Sequence, residues 1–98
     1  MRLTIIPDDN FVAVDSDKSH QPLDLTPCNI SQEVHALQWF DTKGWIEFDD
    51  PTDPFAEKPP NQIITELPEW ALACVGVWEA WTPPPPPLPP ETPENKQI

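Results

Sequence analysis

The chain has 98 residues, with 17 acidic side chains against five basic ones for a formal charge of −12, and it contains 16 Pro but only two Gly. That length allows one domain of modest core, and that sign disfavours both a phosphate backbone and an anionic membrane surface as partners. Basic partners remain, and a solvated acidic surface that keeps the protein in solution accounts for the charge more simply.

Five Trp and four Phe supply the large side chains that so small a core needs, each ring burying roughly 150–250 Å2. Not all of them fit inside, and partly exposed Trp on a small domain marks a surface for binding another protein. Met1 to Pro7 offers only a short apolar run and no signal peptide. The most apolar stretch, Trp70 to Trp81, falls well short of the roughly 20 residues of a membrane span. A soluble, cytosolic product without membrane insertion is expected.

In chain order, Leu3-Thr4-Ile5-Ile6 and Phe11-Val12-Ala13-Val14 are β-prone runs around the turn-forming Pro7-Asp8-Asp9-Asn10, and predict a hairpin. Gln21 to Leu25 alternates apolar and polar residues and predicts a third short strand, which Pro22 restricts to an edge or to the residues after its ring. Thr26 to Gln32 reads as a connection. Val34 to Phe40 and Trp45 to Phe48 flank Asp41-Thr42-Lys43-Gly44, and predict a second hairpin with a type I turn and a bulge at Gly44. Leu37, Trp39, Ile46 and Phe48 are its contribution to the core.

Residues 49–60 hold four Pro and read as a surface loop. Gln62-Ile63-Ile64 adds a short strand or leads directly into a helix. Thr65 is the expected N-cap, with Pro68 in the first turn and Glu66 and Glu69 at the positive end of the dipole. Leu67, Ala71, Cys74, Trp78 and Trp81 recur at helical spacing and form the stripe that docks on the sheet, with Trp70 and Val77 on a flank. Gly76 weakens this helix by roughly 1 kcal/mol against Ala and offers a close approach to a strand or partner.

Together these elements predict an α+β domain over residues 1–82: a small antiparallel sheet of two hairpins with one C-terminal helix packed on it. An extended polyproline tail, 83–98, follows. Pro83, Pro84, Pro85, Pro86, Pro87, Leu88, Pro89 and Pro90 have no backbone donors to give a core. The run fits a stiff spacer of roughly 3.1 Å per residue, a ligand for an aromatic groove, or a cover for Trp78 and Trp81.

Chemistry-bearing motifs are sparse. His20 and His35 lack a second ligand at metal spacing, and Cys28 and Cys74 are isolated from each other in sequence. Asp15-Ser16-Asp17 and Asp49-Asp50 with Asp53 lack the ordered ligands and the Gly of a calcium loop. No serine elbow, phosphate-cradling loop or Cys and His pairing is present. No catalytic residue, metal or cofactor is expected, and the chain reads as a non-enzyme.

Ile5-Ile6-Pro7-Asp8-Asp9 with the following Val-x-Val-Asp, then Val34 to Trp39, Gly44 to Phe48, and Ile64-Thr65-Glu66-Leu67 before a Trp-rich helix, resemble small proteins encoded among the tail genes of tailed bacteriophages. The resemblance covers about Met1 to Trp81 and leaves the Pro-rich end outside. It implies a tail-associated or tail-fibre-assembly protein, found in the virion tail or in the host cytoplasm during assembly. It would bind a tail-fibre or baseplate component, with any oligomeric symmetry set by that partner and no nucleic acid bound. Exposed members of Trp45, Trp70, Trp78 and Trp81 are the expected contacts, with Pro83 to Pro90 as spacer or anchor. Two other classes fit the residues: an acidic inhibitor that mimics nucleic acid and occupies a basic groove of a host protein, and a Pro-rich ligand of a host signalling domain.

Overall fold

A computed structural model describes residues 1–85. Five strands, β1 (Arg2–Ile6), β2 (Phe11–Val14), β3 (Val34–Phe40), β4 (Lys43–Phe48) and β5 (Gln62–Ile64), form one antiparallel sheet in the order β2-β1-β3-β4-β5. One helix, α1 (Glu69–Ala80), packs with it. The α+β class holds, and the sheet gains an edge strand beyond the two hairpins. Pro86, Pro87, Leu88, Pro89 and Pro90 lie outside the described residues, as does the rest of the tail.

The period-two pattern of the strands sorts the sheet into two faces. Val14, Leu3, Trp39, Gly44 and Ile64 stand opposite one another in one row, and Val12, Ile5, Leu37 and Ile46 in the next. These rows face the core, where Leu3, Ile5 and Leu37 are fully buried. Ala71 and Cys74 of α1 close over them together with Leu23, Leu25 and Cys28 from the long β2–β3 connection. Phe48 packs against this cluster, as its shared face with Ile46 requires.

The first hairpin turns through a 3-10 turn, Pro7–Asp9, and Asn10 in the left-handed conformation (φ 48°), which Asn tolerates. The expected third strand is absent. Gln21 to Leu25 pairs with no strand, because Asp15 (φ 52°) and Ser16 (φ 70°) fold the chain back through a Val14–Asp17 bridge. Its alternation reported burial without pairing: Leu23 and Leu25 enter the core while their neighbours stay exposed. The Asp24 carboxylate then accepts the Thr26 N–H at 3.0 Å and tips the chain into a 3-10 turn, Thr26–Cys28.

The second hairpin is tighter than expected. Phe40 pairs with Lys43, so only Asp41 and Thr42 form the loop, and Asp41 takes the positive φ (56°). Gly44 is no bulge; it is paired opposite Trp39 inside β4. A Cβ on it would stand 2.0 Å from the Gln38 carbonyl oxygen and 2.8 Å from the Trp39 Cα, so close approach of two backbones is what requires glycine. The ladder's irregularity lies at the other end, between Val34 and Ala36.

Helix α1 starts three residues later than predicted, at Glu69. Leu67 precedes a proline and is biased to extended backbone, and Pro68 (φ −66°, ψ 160°) occupies the N-cap, its carbonyl accepting from the Ala71 and Leu72 N–H groups at 3.0 and 3.1 Å. Thr65 is therefore not the cap. The stripe is as predicted: Ala71 and Cys74 are buried, and Leu67, Trp78 and Trp81 pack against the core. Gly76 meets nothing within 4 Å, so it approaches no strand.

Candidate functional site: an open sheet face

Helix and β2–β3 connection cover one side of the sheet, and the alternate residues of every strand are left on the other. Ala13, Thr4, Gln38, Trp45 and Ile63 stand opposite one another in a row that crosses all five strands. Ile63 is 71% exposed, and Trp45 is partly exposed at the middle of the apolar half. Phe40 stacks on Trp45 with centroids 5.6 Å apart, and the Arg2 guanidinium lies 5.1 Å above the Phe40 ring. Such contacts hold both rings in place.

Polar groups on this face serve mainly to orient it. The Trp45 Nε1–H donates to Glu47 Oε2 at 2.9 Å, and the Thr4 hydroxyl donates to Gln38 Oε1 at 2.9 Å. Along one margin basic side chains gather, with Asp15 bonded to the Arg2 N–H and Asp41 paired to the Met1 ammonium beside them. Arg2 and Lys43 flank Phe40, and Lys18 joins Arg2, Thr4, Ala13 and Ser16 around a hollow of about 220 Å3. Among the described residues Arg2, Lys18 and Lys43 make no ion pair, whereas Lys58 reaches Asp50 at 3.7 Å. Three of the four described Lys and Arg side chains thus lie along one edge of an aromatic surface without an ion-pair partner.

The other Trp residues named from sequence lie elsewhere. Trp70, Trp78 and Trp81 project from α1 and its C-cap and pack against the core cluster, so the structure does not bring them together with Trp45. Pro83, Pro84 and Pro85 are exposed just beyond. His20, alone in sequence, stacks on Trp78 and Trp81 with centroids at 4.0 and 4.7 Å. Its Nδ1 donates to the Trp78 carbonyl at 2.8 Å, the same oxygen that accepts the Trp81 N–H at 3.3 Å at the helix end. Asp17 stands 3.8 Å from the Nε2, and its own pKa is lowered by hydrogen bonds from the Ser19 hydroxyl and N–H. The Trp78 Nε1–H is buried with no acceptor among the described residues.

Cys28 and Cys74 are side by side. Both thiols are buried, and Cys74 is pushed well above the ordinary thiol range, first by burial and then by its hydrogen bond with Cys28. The spacing of 28 and 74 in sequence gave no sign of this contact. His35 sits exposed at the irregular end of β3, with Nδ1 3.2 Å from Asp49. Among the described residues no group of three or more His, Cys, Asp or Glu side chains could hold a metal ion, and no helix is long and apolar enough to cross a membrane.

Comparison with protein-family models, with curated proteins and with solved structures finds no match.

Proposed function

We propose that the chain is a non-enzymatic, phage tail-associated binding protein that engages a tail-fibre or baseplate component, in a structural or assembly role. The observation that carries the binding role is the open sheet face, a continuous row from Thr4 to Ile63 with Phe40 stacked on Trp45 and, among the described residues, no helix or strand packed over it. Aromatic side chains held rigidly by neighbours lose little entropy on contact and favour a protein partner. The tail-gene setting rests on the sequence resemblance set out above. Trp70 and the exposed Pro83 to Pro85 offer a second contact region on the helix side.

The test captures partners of the tagged full chain, of Trp45→Ala and of a version ending at Thr82, from producing cells at low and high salt. Recovery of a fibre or baseplate protein that survives high salt, is lost in Trp45→Ala and leaves the melting temperature unchanged is the expected outcome. Loss on truncation would assign the contact to the Pro segment. Recovery of a basic nucleic-acid-binding host protein, released by salt, would refute the proposal in favour of the acidic mimic.

A further inference from the structure

At the end of the molecule opposite the basic margin, the β4–β5 loop presents the chemical complement of that margin. Phe55 is 94% exposed, the most exposed large apolar side chain of the described residues. Its N–H is held by Asp53 Oδ1 at 2.9 Å, and the Ala56 N–H bonds the Asp53 carbonyl at 3.1 Å, so a turn holds the backbone that presents the ring. Asp53 and Glu57 lie within two residues of it in the chain, while Asp49 and Asp50 at the start of the loop stand 3.2 Å from His35 and 3.7 Å from Lys58. A single exposed ring is ordinary on a protein surface. An exposed ring in an acidic loop, on a chain whose open face sets Arg2 and Lys43 beside Phe40 with Asp41 already paired to the Met1 ammonium, is a complementary pair of features.

The two cannot meet within one chain. The basic margin lies at the start of β4, at Lys43, and the loop departs from its far end after Phe48, roughly 17 Å away at the usual rise of a strand. We propose that the acidic loop 49–57 of one copy docks on the basic aromatic margin of a second copy, Phe55 lying against Phe40 and Trp45 and the carboxylates facing Arg2, Lys18 and Lys43. This deepens the reading of the open face as an interface and rests on it. The contact joins two different surfaces, so it is head-to-tail and builds either a closed ring or an open array. At a charge of −12 copies repel at long range, but over a screening length of about 8 Å at physiological salt the local complementarity governs the contact.

The experiment is sedimentation velocity on the full chain across a concentration series up to millimolar. The expected result is a mass that rises beyond the dimer. Phe55→Ala and Lys43→Glu, both at exposed positions, each weaken association roughly tenfold or more, about 1.4 kcal/mol, with melting temperatures unchanged. An equimolar mixture of the two variants has one intact face and one intact loop per pair, and forms a dimer and nothing larger. A wild-type chain that stays monomeric throughout, variants that associate like the parent, or a mixture that fails to pair overturns the proposal. So does stronger association of a version ending at Pro85, which would mean that residues 86–98 occupy the face. Parallel capture of a tail component by Phe55→Ala separates the two readings: self-association lost with capture kept upholds both, and wild-type monomers that still capture it leave only the tail-binding role.

Discussion

Replacing Gly44 by alanine places a Cβ 2.0 Å from the Gln38 carbonyl oxygen and 2.8 Å from the Trp39 Cα, distances that real Cβ contacts do not reach. Both obstacles are backbone, so no rotamer change relieves them; β3 and β4 must separate by an ångström or more beside a two-residue turn that holds them together. Overpacking typically costs 1–3 kcal/mol, and the rigidity of the neighbours puts this case at the upper end, about 3 kcal/mol. Gly76→Ala is the internal control with the opposite sign. Its Cβ meets nothing within 4 Å, so only helix propensity acts and the variant gains roughly 0.5–1 kcal/mol. In a domain of this size 1 kcal/mol moves the melting temperature by about 4–8 °C. Thermal and urea unfolding followed by Trp fluorescence should therefore show Gly44→Ala melting at least 12 °C lower, by that same scaling, and Gly76→Ala a few degrees higher. A Gly44→Ala variant within about 0.5 kcal/mol of the parent, the range of an ordinary surface change, would refute the close-approach account and restore a loop role for Gly44.

Other perturbations probe the connections around the core. His20→Ala removes the donor to the Trp78 carbonyl and the ring stacked on Trp78 and Trp81, and should lower stability by about 1–2 kcal/mol and speed amide exchange in the last turn of α1. Because burial holds the Cys74 thiol protonated above its ordinary range, the native chain binds more protons than the unfolded one, so stability should fall as pH rises past the usual thiol value; Cys74→Ser should flatten that slope in urea titrations. Prolonged incubation with oxidised glutathione should link Cys28 to Cys74, the two thiols losing two hydrogens to the glutathione disulfide, with a gain near 4 kcal/mol for a loop of about 50 residues; intact mass and non-reducing melts read it out. Asp17, Asp24 and Glu33 have pKa values lowered by hydrogen bonds from Ser19, Thr26 and Ser31. Their contribution is present above the ordinary carboxylate range and should be lost as pH falls through the lowered values, as NMR titration of each carboxyl would show.

Both hairpins and the helical stripe were legible because each is set by local periodicity. Leu37, Trp39 and Ile46 follow a period of two, and Leu67, Ala71, Cys74 and Trp78 follow the turn of a helix. What sequence missed depends on distant partners. Gln21 to Leu25 alternates like a strand but pairs with none, because its apolar residues Leu23 and Leu25 pack into the core under α1. Gly44 looked like a turn residue by its place after Asp41-Thr42, and only the approach of Gln38 and Trp39 reveals its steric role. The Trp residues were separable as partly exposed, yet their division between two sides of the molecule follows from strand order and register. The basic margin was illegible for the same reason: Arg2, Lys18 and Lys43 are far apart in the chain and meet only through the β2-β1-β3-β4 order.

The clamp of His20 on the end of α1 also has a mechanical meaning. A pull applied through Thr82 and the residues after it reaches the domain at Trp81, whose ring rests on the His20 imidazole, itself bonded to the Trp78 carbonyl. From His20 the load passes along the connection to Asp17 and through its paired backbone bonds with Val14 into β2. Tension on the tail thus meets the His20 stack and the Val14–Asp17 pairing as well as α1, so the sheet edge shares with the helix the load at its last turn.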